Sequence, residues 1–177
     1  MTLLLNTLRR TLDFLYKLGG AIAGLSLLGI LITIVLQMVA RWSGTNFPGS
    51  TAYAGYLMAS ASFFAFAYAL NHGAHIRVSL LLSHLGRFRR MVEIWCFGVG
   101  ASLACYFTYY AWDAVYWSWK FNDISQGRDA TPLWIPQSAM LIGSALFAIC
   151  LVDHFVRLLA VGTHGIEAEI LEDVPQE

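Results

Sequence analysis

Residues 18–40 read LGGAIAGLSLLGILITIVLQMVA, 23 consecutive positions without Asp, Glu, Lys, Arg or His. A hydrocarbon core about 30 Å thick is crossed by roughly 20 apolar residues, and in lipid a helix satisfies its own backbone hydrogen bonds. The stretch therefore predicts a transmembrane helix. Three more uncharged stretches, 51–70, 94–112 and 130–152, predict three more. A secretory leader would have an apolar region of roughly 7–15 residues. The first stretch is longer, so it is expected to stay as a span.

The composition agrees. Of 177 residues, 58% are hydrophobic and 12% charged, whereas a soluble domain carries about 25% charged residues. The expected fold is all-α and integral to the membrane, with four transmembrane helices at about 18–40, 51–70, 91–117 and 132–156. Residues 1–162 then form one membrane domain, followed by an acidic cytoplasmic tail, 163–177, that holds Glu167, Glu169, Glu172, Asp173 and Glu177.

Eleven basic and eleven acidic residues cancel, so the net charge says nothing about nucleic acid, and no nucleic-acid partner is expected of a membrane domain; the distribution of charge says more. Arg9, Arg10 and Lys17 precede the first span, Arg77, Arg87, Arg89 and Arg90 lie between the second and third, and Arg157 ends the fourth. The two other loops hold only Arg41, Lys120 and Arg128. Cytoplasmic loops carry the excess of Lys and Arg, which predicts both termini in the cytoplasm.

Two segments have the pattern of helices lying in the membrane surface. In residues 1–17, Leu4, Leu5, Leu8, Leu12 and Leu15 follow a helical period, with Arg9, Arg10, Asp13 and Lys17 elsewhere around the helix. This describes a short interfacial helix, or an extension of the first span. In the cytoplasmic loop, Val78, Leu81, Leu82, Leu85 and Phe88 share one side, and Arg77, Ser83, His84 and Arg87 the other. The cations of such a helix meet anionic lipid headgroups. At the opposite end of the third span, Tyr106, Tyr109, Tyr110, Trp112, Tyr116, Trp117 and Trp119 form an aromatic belt of the kind found where membrane meets water.

No residue has the setting of a catalytic, cofactor or metal site. The five histidines, 72, 75, 84, 154 and 164, do not face one another across the membrane interior, as paired axial ligands of a haem would. His72 and His75 have no Cys or carboxylate within a few residues to complete a metal site. Cys96, Cys105 and Cys150 all fall within spans and read as small apolar fillers. A transporter acting alone would keep an ionisable group deep in the membrane; the middles of these spans hold none. The chain reads as a partner within a complex. The rival reading is a haem- or quinone-associated membrane anchor of a redox enzyme.

At His75-Ile76-Arg77-Val78, followed by leucines, and at Thr131-Pro132-Leu133-Trp134-Ile135-Pro136-Gln137, the chain resembles the DctQ-type small membrane subunit of tripartite ATP-independent periplasmic (TRAP) transporters. The resemblance covers the length, the four spans, the inside termini and the order of the two motifs. Many members carry glutamates near the start of the second span, where this chain has Ala52, Tyr53 and Ala54, and Asp where it has Ser79. The resemblance implies a static scaffold in the bacterial inner membrane, beside a large polytopic permease subunit that holds substrate and sodium sites. A periplasmic binding protein delivers an organic acid to the pair.

On that reading, His75 and Arg77 serve a structural turn or a headgroup contact, and Arg87, Arg89 and Arg90 meet lipid. Pro132, Trp134, Pro136 and Gln137 shape the outer surface. The small residues of the second and fourth spans are expected to face the large subunit.

Overall fold

The computed structural model describes residues 2–72, 89–127 and 129–160. It is all-helical, with α1 (Thr2–Trp42), α2 (Ser50–Asn71), α3 (Arg89–Phe121) and α4 (Trp134–Ala160). All four are long and apolar enough to cross a membrane, so the protein is a multi-pass membrane protein. His75, Arg77, Arg87, the loop amphipathic helix and the acidic tail lie outside the described residues.

The helices form a layer in the order α1, α2, α4, α3. Antiparallel α1 and α2 pack through small residues: Gly19 lies against the Phe64 carbonyl, Gly29 against Leu57, and the Ser26 and Ser60 hydroxyls are 3.4 Å apart. In lipid, where the bilayer is as apolar as any side chain, such close backbone approach is a principal source of helix association. The parallel pair α2 and α4 meets at Gly143, which lies against Phe63, and at Cys150, whose Sγ is 3.8 Å from the Ala67 carbonyl oxygen. Antiparallel α3 and α4 meet where Gly98 and Gly100 face Phe155 and Leu151.

Along α3 the inward positions are Phe97, Ala101, Ala104, Thr108, Ala111, Val115 and Ser118. Steps alternating four and three average 3.5 residues, the period of a slightly supercoiled helix pair. The layer stays thin because most of these residues are small.

The N-terminal segment continues directly into the first span as one 41-residue helix, about 60 Å long at 1.5 Å per residue. Tyr16 and Leu12 explain this continuity. Tyr16 is 1% exposed and joins the core cluster with Ala67, Leu70, Cys150 and Leu151, and Leu12 packs against that cluster. Tyr16 also lies near Asp153 and Arg157 of α4, so the start of α1 and the end of α4 share one end of the bundle.

Six serine and threonine hydroxyls within the spans are satisfied by their own helix. Those of Ser26, Thr33, Ser62, Ser102, Thr108 and Ser144 each donate to a carbonyl three or four residues earlier, which lets a polar side chain sit in a lipid-embedded helix.

Candidate functional site

The end of the bundle opposite Tyr16 carries the two short connections, and both start from the same helix stop. After α1, the Thr45 amide donates to the Ala40 carbonyl and the Gly44 amide to Arg41. After α3, the Asp123 amide donates to Ser118 and the Asn122 amide to Trp119. Both are Schellman caps, with Gly44 and Asn122 in the left-handed conformation.

From Asp123 the chain turns back on itself. Ile124 and Pro132 form an antiparallel bridge, the Ser125 amide donates to the Thr131 carbonyl at 2.8 Å, and the Leu133 amide to the Asp123 carbonyl at 2.9 Å. This hairpin is fastened to α2. The Tyr56 hydroxyl donates to Asp129 Oδ2 at 3.0 Å and lies 2.9 Å from Ser125 Oγ, which itself donates to Asp129 Oδ1 at 3.0 Å. Hydrogen bonds from Thr131, Ser125 and Tyr56 hold the Asp129 carboxyl below its ordinary pKa, the Thr131 bond being the largest cause. Gly49 permits the approach: its φ is +81°, and a Cβ there would sit 2.8 Å from Asp129 Cβ.

Four of the sequence-predicted residues gather at this end. Pro132 is the exposed bridge residue, Trp134 opens α4 and is partly exposed, and Pro136 lies in the first turn of α4, where no intrahelical donor is lost. The Gln137 amide donates to the Leu133 carbonyl at 3.2 Å, and its Oε1 is buried without a hydrogen bond. Arg89 and Arg90 stand at the start of α3, at the far end of the bundle, so the two groups do not form one site.

Tyr56, Ser125 and Asp129 were not singled out from sequence. The available signal was a loop rich in Ser, Asp, Gly and Thr; its partner, a tyrosine inside a span, gave none.

The small residues of α2 and α4 divide between two environments. Ala61, Ala67, Gly143, Ser144 and Ala148 are buried within this chain, where its own thin layer uses them, whereas Gly55 and Ser62 of α2 are exposed. What the layer leaves outside differs from helix to helix. On α1 it is aliphatic, with Leu25, Leu28, Leu31, Ile32 and Val35 exposed. On α4 it is the stripe Ile142, Ile149, Val152, Val156 and Leu159. On the hairpin half of α3 it is Tyr106, Tyr109, Tyr110, Asp113, Tyr116 and Trp117. Lys120 caps that face, its Nζ 4.7 Å from the Trp117 ring centroid and 5.7 Å from that of Tyr116.

Among the described residues no group of three His, Cys, Asp or Glu side chains is placed to hold a metal. The two described histidines are apart: His72 caps α2, its Nδ1 2.9 Å from the Tyr68 carbonyl, and His154 is buried on α4 beside Phe97.

The family described as tripartite ATP-independent periplasmic transporters, DctQ component, matches residues 30–161, about three quarters of the chain. No curated protein matches it.

Proposed function

Because this chain belongs to the DctQ component family of tripartite ATP-independent periplasmic transporters, and is thus a small membrane subunit of a transporter, we propose that it is the scaffold on which a large permease subunit works. The substrate is an organic acid, delivered by a periplasmic binding protein and driven inward by a sodium gradient. The proposal sets the chain in a bacterial inner membrane, with the hairpin end in the periplasm and both termini in the cytoplasm. Residues 1–162 are the membrane domain and 163–177 a cytoplasmic tail.

The observation that carries this reading is where ionisable groups stand in the spans. In α1 they are Arg10, Asp13 and Lys17 at one end and Arg41 at the other; α2 has none; in α3 they are Arg89, Arg90 and Glu93 in the first turns and Asp113 and Lys120 in the hairpin half; in α4 they are Asp153, His154 and Arg157 in the last turns. Sodium and a carboxylate need oxygen ligands and cations deep in the membrane, so their sites belong on another subunit. A scaffold must instead hold depth and tilt while its neighbour moves. Trp112 and Trp119, exposed on another side of α3, and the basic segment Arg77 to Arg90 supply anchors at the two interfaces.

The test is an affinity pull-down of the tagged full chain in mild detergent, with stoichiometric partners identified by mass spectrometry. One large polytopic permease is the expected partner. Recovery of the chain alone, or with flavin and iron–sulfur subunits, overturns the proposal in favour of the redox-anchor reading. A sodium gradient is then expected to drive uptake of a carboxylate into vesicles holding both subunits and the binding protein, but not into vesicles holding this chain alone.

A further inference from the structure

Asp113 is a carboxylate exposed on the side of α3 that faces away from its own bundle, one turn before Trp117. That turn is about 6 Å along the axis. In a helix every Cα–Cβ bond tilts toward the N-terminus, and the N-terminus of α3 is at the opposite end of the bundle. The Asp113 side chain therefore leans away from the hairpin end and along α3 toward Tyr110.

No described residue of its own chain neutralises it. Asp113 has no ion pair among the described residues, and Lys120, two turns further on, holds its ammonium over the rings of Trp117 and Tyr116. Below Asp113 the same face carries the hydroxyls of Tyr106, Tyr109 and Tyr110, with the Tyr106 and Tyr110 rings 4.6 Å apart. Tyr109 is 69% exposed. Buried phenols take hydrogen-bond partners, and an intramembrane carboxylate faces a partner or water, not lipid. The exposed face of α1, by contrast, is mainly aliphatic, with Leu28, Leu31, Ile32 and Val35, and suits acyl chains.

We infer that the Tyr106–Asp113–Trp117 face of α3 is the docking surface for the large permease subunit, which meets Asp113 with an Arg or Lys and the tyrosine hydroxyls with polar groups. The inference rests on the scaffold reading above and specifies its interface. The negative charge on this side calls for a cation on the other, and the aliphatic faces of α1 and α4 are left to lipid.

The experiment uses the full chain co-expressed with the large subunit recovered in the pull-down. A photoreactive benzoylphenylalanine replaces Tyr106, Tyr109 or Tyr116 on α3 and, for comparison, Leu28 or Leu31 on α1 and Ile142 on α4. Adducts with the large subunit are expected from the α3 positions and not from the others. Adducts from α1 or α4 with none from α3, adducts between two copies of this chain at α3, or none at all while the wild type co-purifies, overturn the inference.

Asp113→Leu supplies an opposed readout. If Asp113 pairs with a partner's cation, retention of the large subunit falls about tenfold or more, because the partner charge is left unpaired, while Asp113→Asn falls less. If Asp113 faces lipid, Asp113→Leu leaves retention unchanged or higher and the inference fails. Absence of a large subunit from the wild-type pull-down counts against the scaffold reading itself, so the two failures are distinct.

Discussion

Tyr56 and Asp129 stand 73 positions apart in the chain and are joined by a 3.0 Å hydrogen bond that fastens the second connection to the second helix. Ser125 sits within hydrogen-bonding reach of both, and Gly49 leaves the room they need. The hairpin end is thereby a shaped surface even though its connections are short.

Tyr56→Phe removes the clasp and keeps the ring. A partly exposed neutral hydroxyl contributes roughly 0.5–1 kcal/mol, so global stability in detergent is expected to fall slightly. The local effect is larger in proportion: amide exchange at Ser125 and Leu133, both held by hairpin hydrogen bonds, is expected to speed up, while that of α3 stays unchanged. Unchanged protection of the hairpin would count against the clasp.

The same clasp has a pH dependence whose sign is fixed. Asp129 is held below its ordinary pKa of 3.8 by hydrogen bonds to the charged form. Its contribution is therefore present above that ordinary value and is lost as pH falls through the lower, folded value. Hairpin protection, corrected for intrinsic exchange rates, is expected to hold from neutral pH down to about 4 and to drop below it. In Asp129→Asn the hairpin is expected to be less protected at neutral pH, with no further loss in acid.

The four spans were legible because 20 apolar residues without charge admit few other readings in a chain this hydrophobic. The prolines at 132 and 136 and the aromatic half of α3 were legible as well, since each acts through local chemistry. Helix order was not. Whether the small residues of α2 meet their own chain or a partner depends on which helix lies beside them, and Gly19, Ala23 and Ser26 of α1 reveal themselves as the counterpart only when the two helices are set together. Tyr16 went unread for a related reason. Beside Lys17 nothing local marks it, yet it is packed among residues more than 50 positions away.

Tyr16 ties the first 17 residues to the bundle, and its loss is expected to show. Tyr16→Ala removes a buried aromatic ring at a cost of about 3 kcal/mol or more, whereas Tyr16→Phe keeps the ring and is expected to stay close to wild type. A spin label at Thr11 is expected to become more mobile in the Ala variant and not in the Phe variant. Equal mobility in all three would mean that the N-terminal turns hold their place without this side chain.

Gly143 and Gly24 separate packing from helix preference. A Cβ at Gly143 would lie 2.7 Å from Phe63 Cβ and 2.8 Å from its carbonyl carbon, and backbone cannot swing aside as a side-chain tip can; at Gly24 nothing lies within 4 Å. Gly143→Ala must push α2 from α4, and overpacking of this kind costs about 1–3 kcal/mol. Gly24→Ala meets no atom, and alanine is the better helix former by up to about 1 kcal/mol, so it is expected to be neutral or stabilising. Unfolding of the purified chain in graded denaturing detergent measures both. Equal midpoints for the two variants would mean that α2 and α4 are not in backbone contact at Phe63, and that the layer order α1, α2, α4, α3 is wrong at its centre.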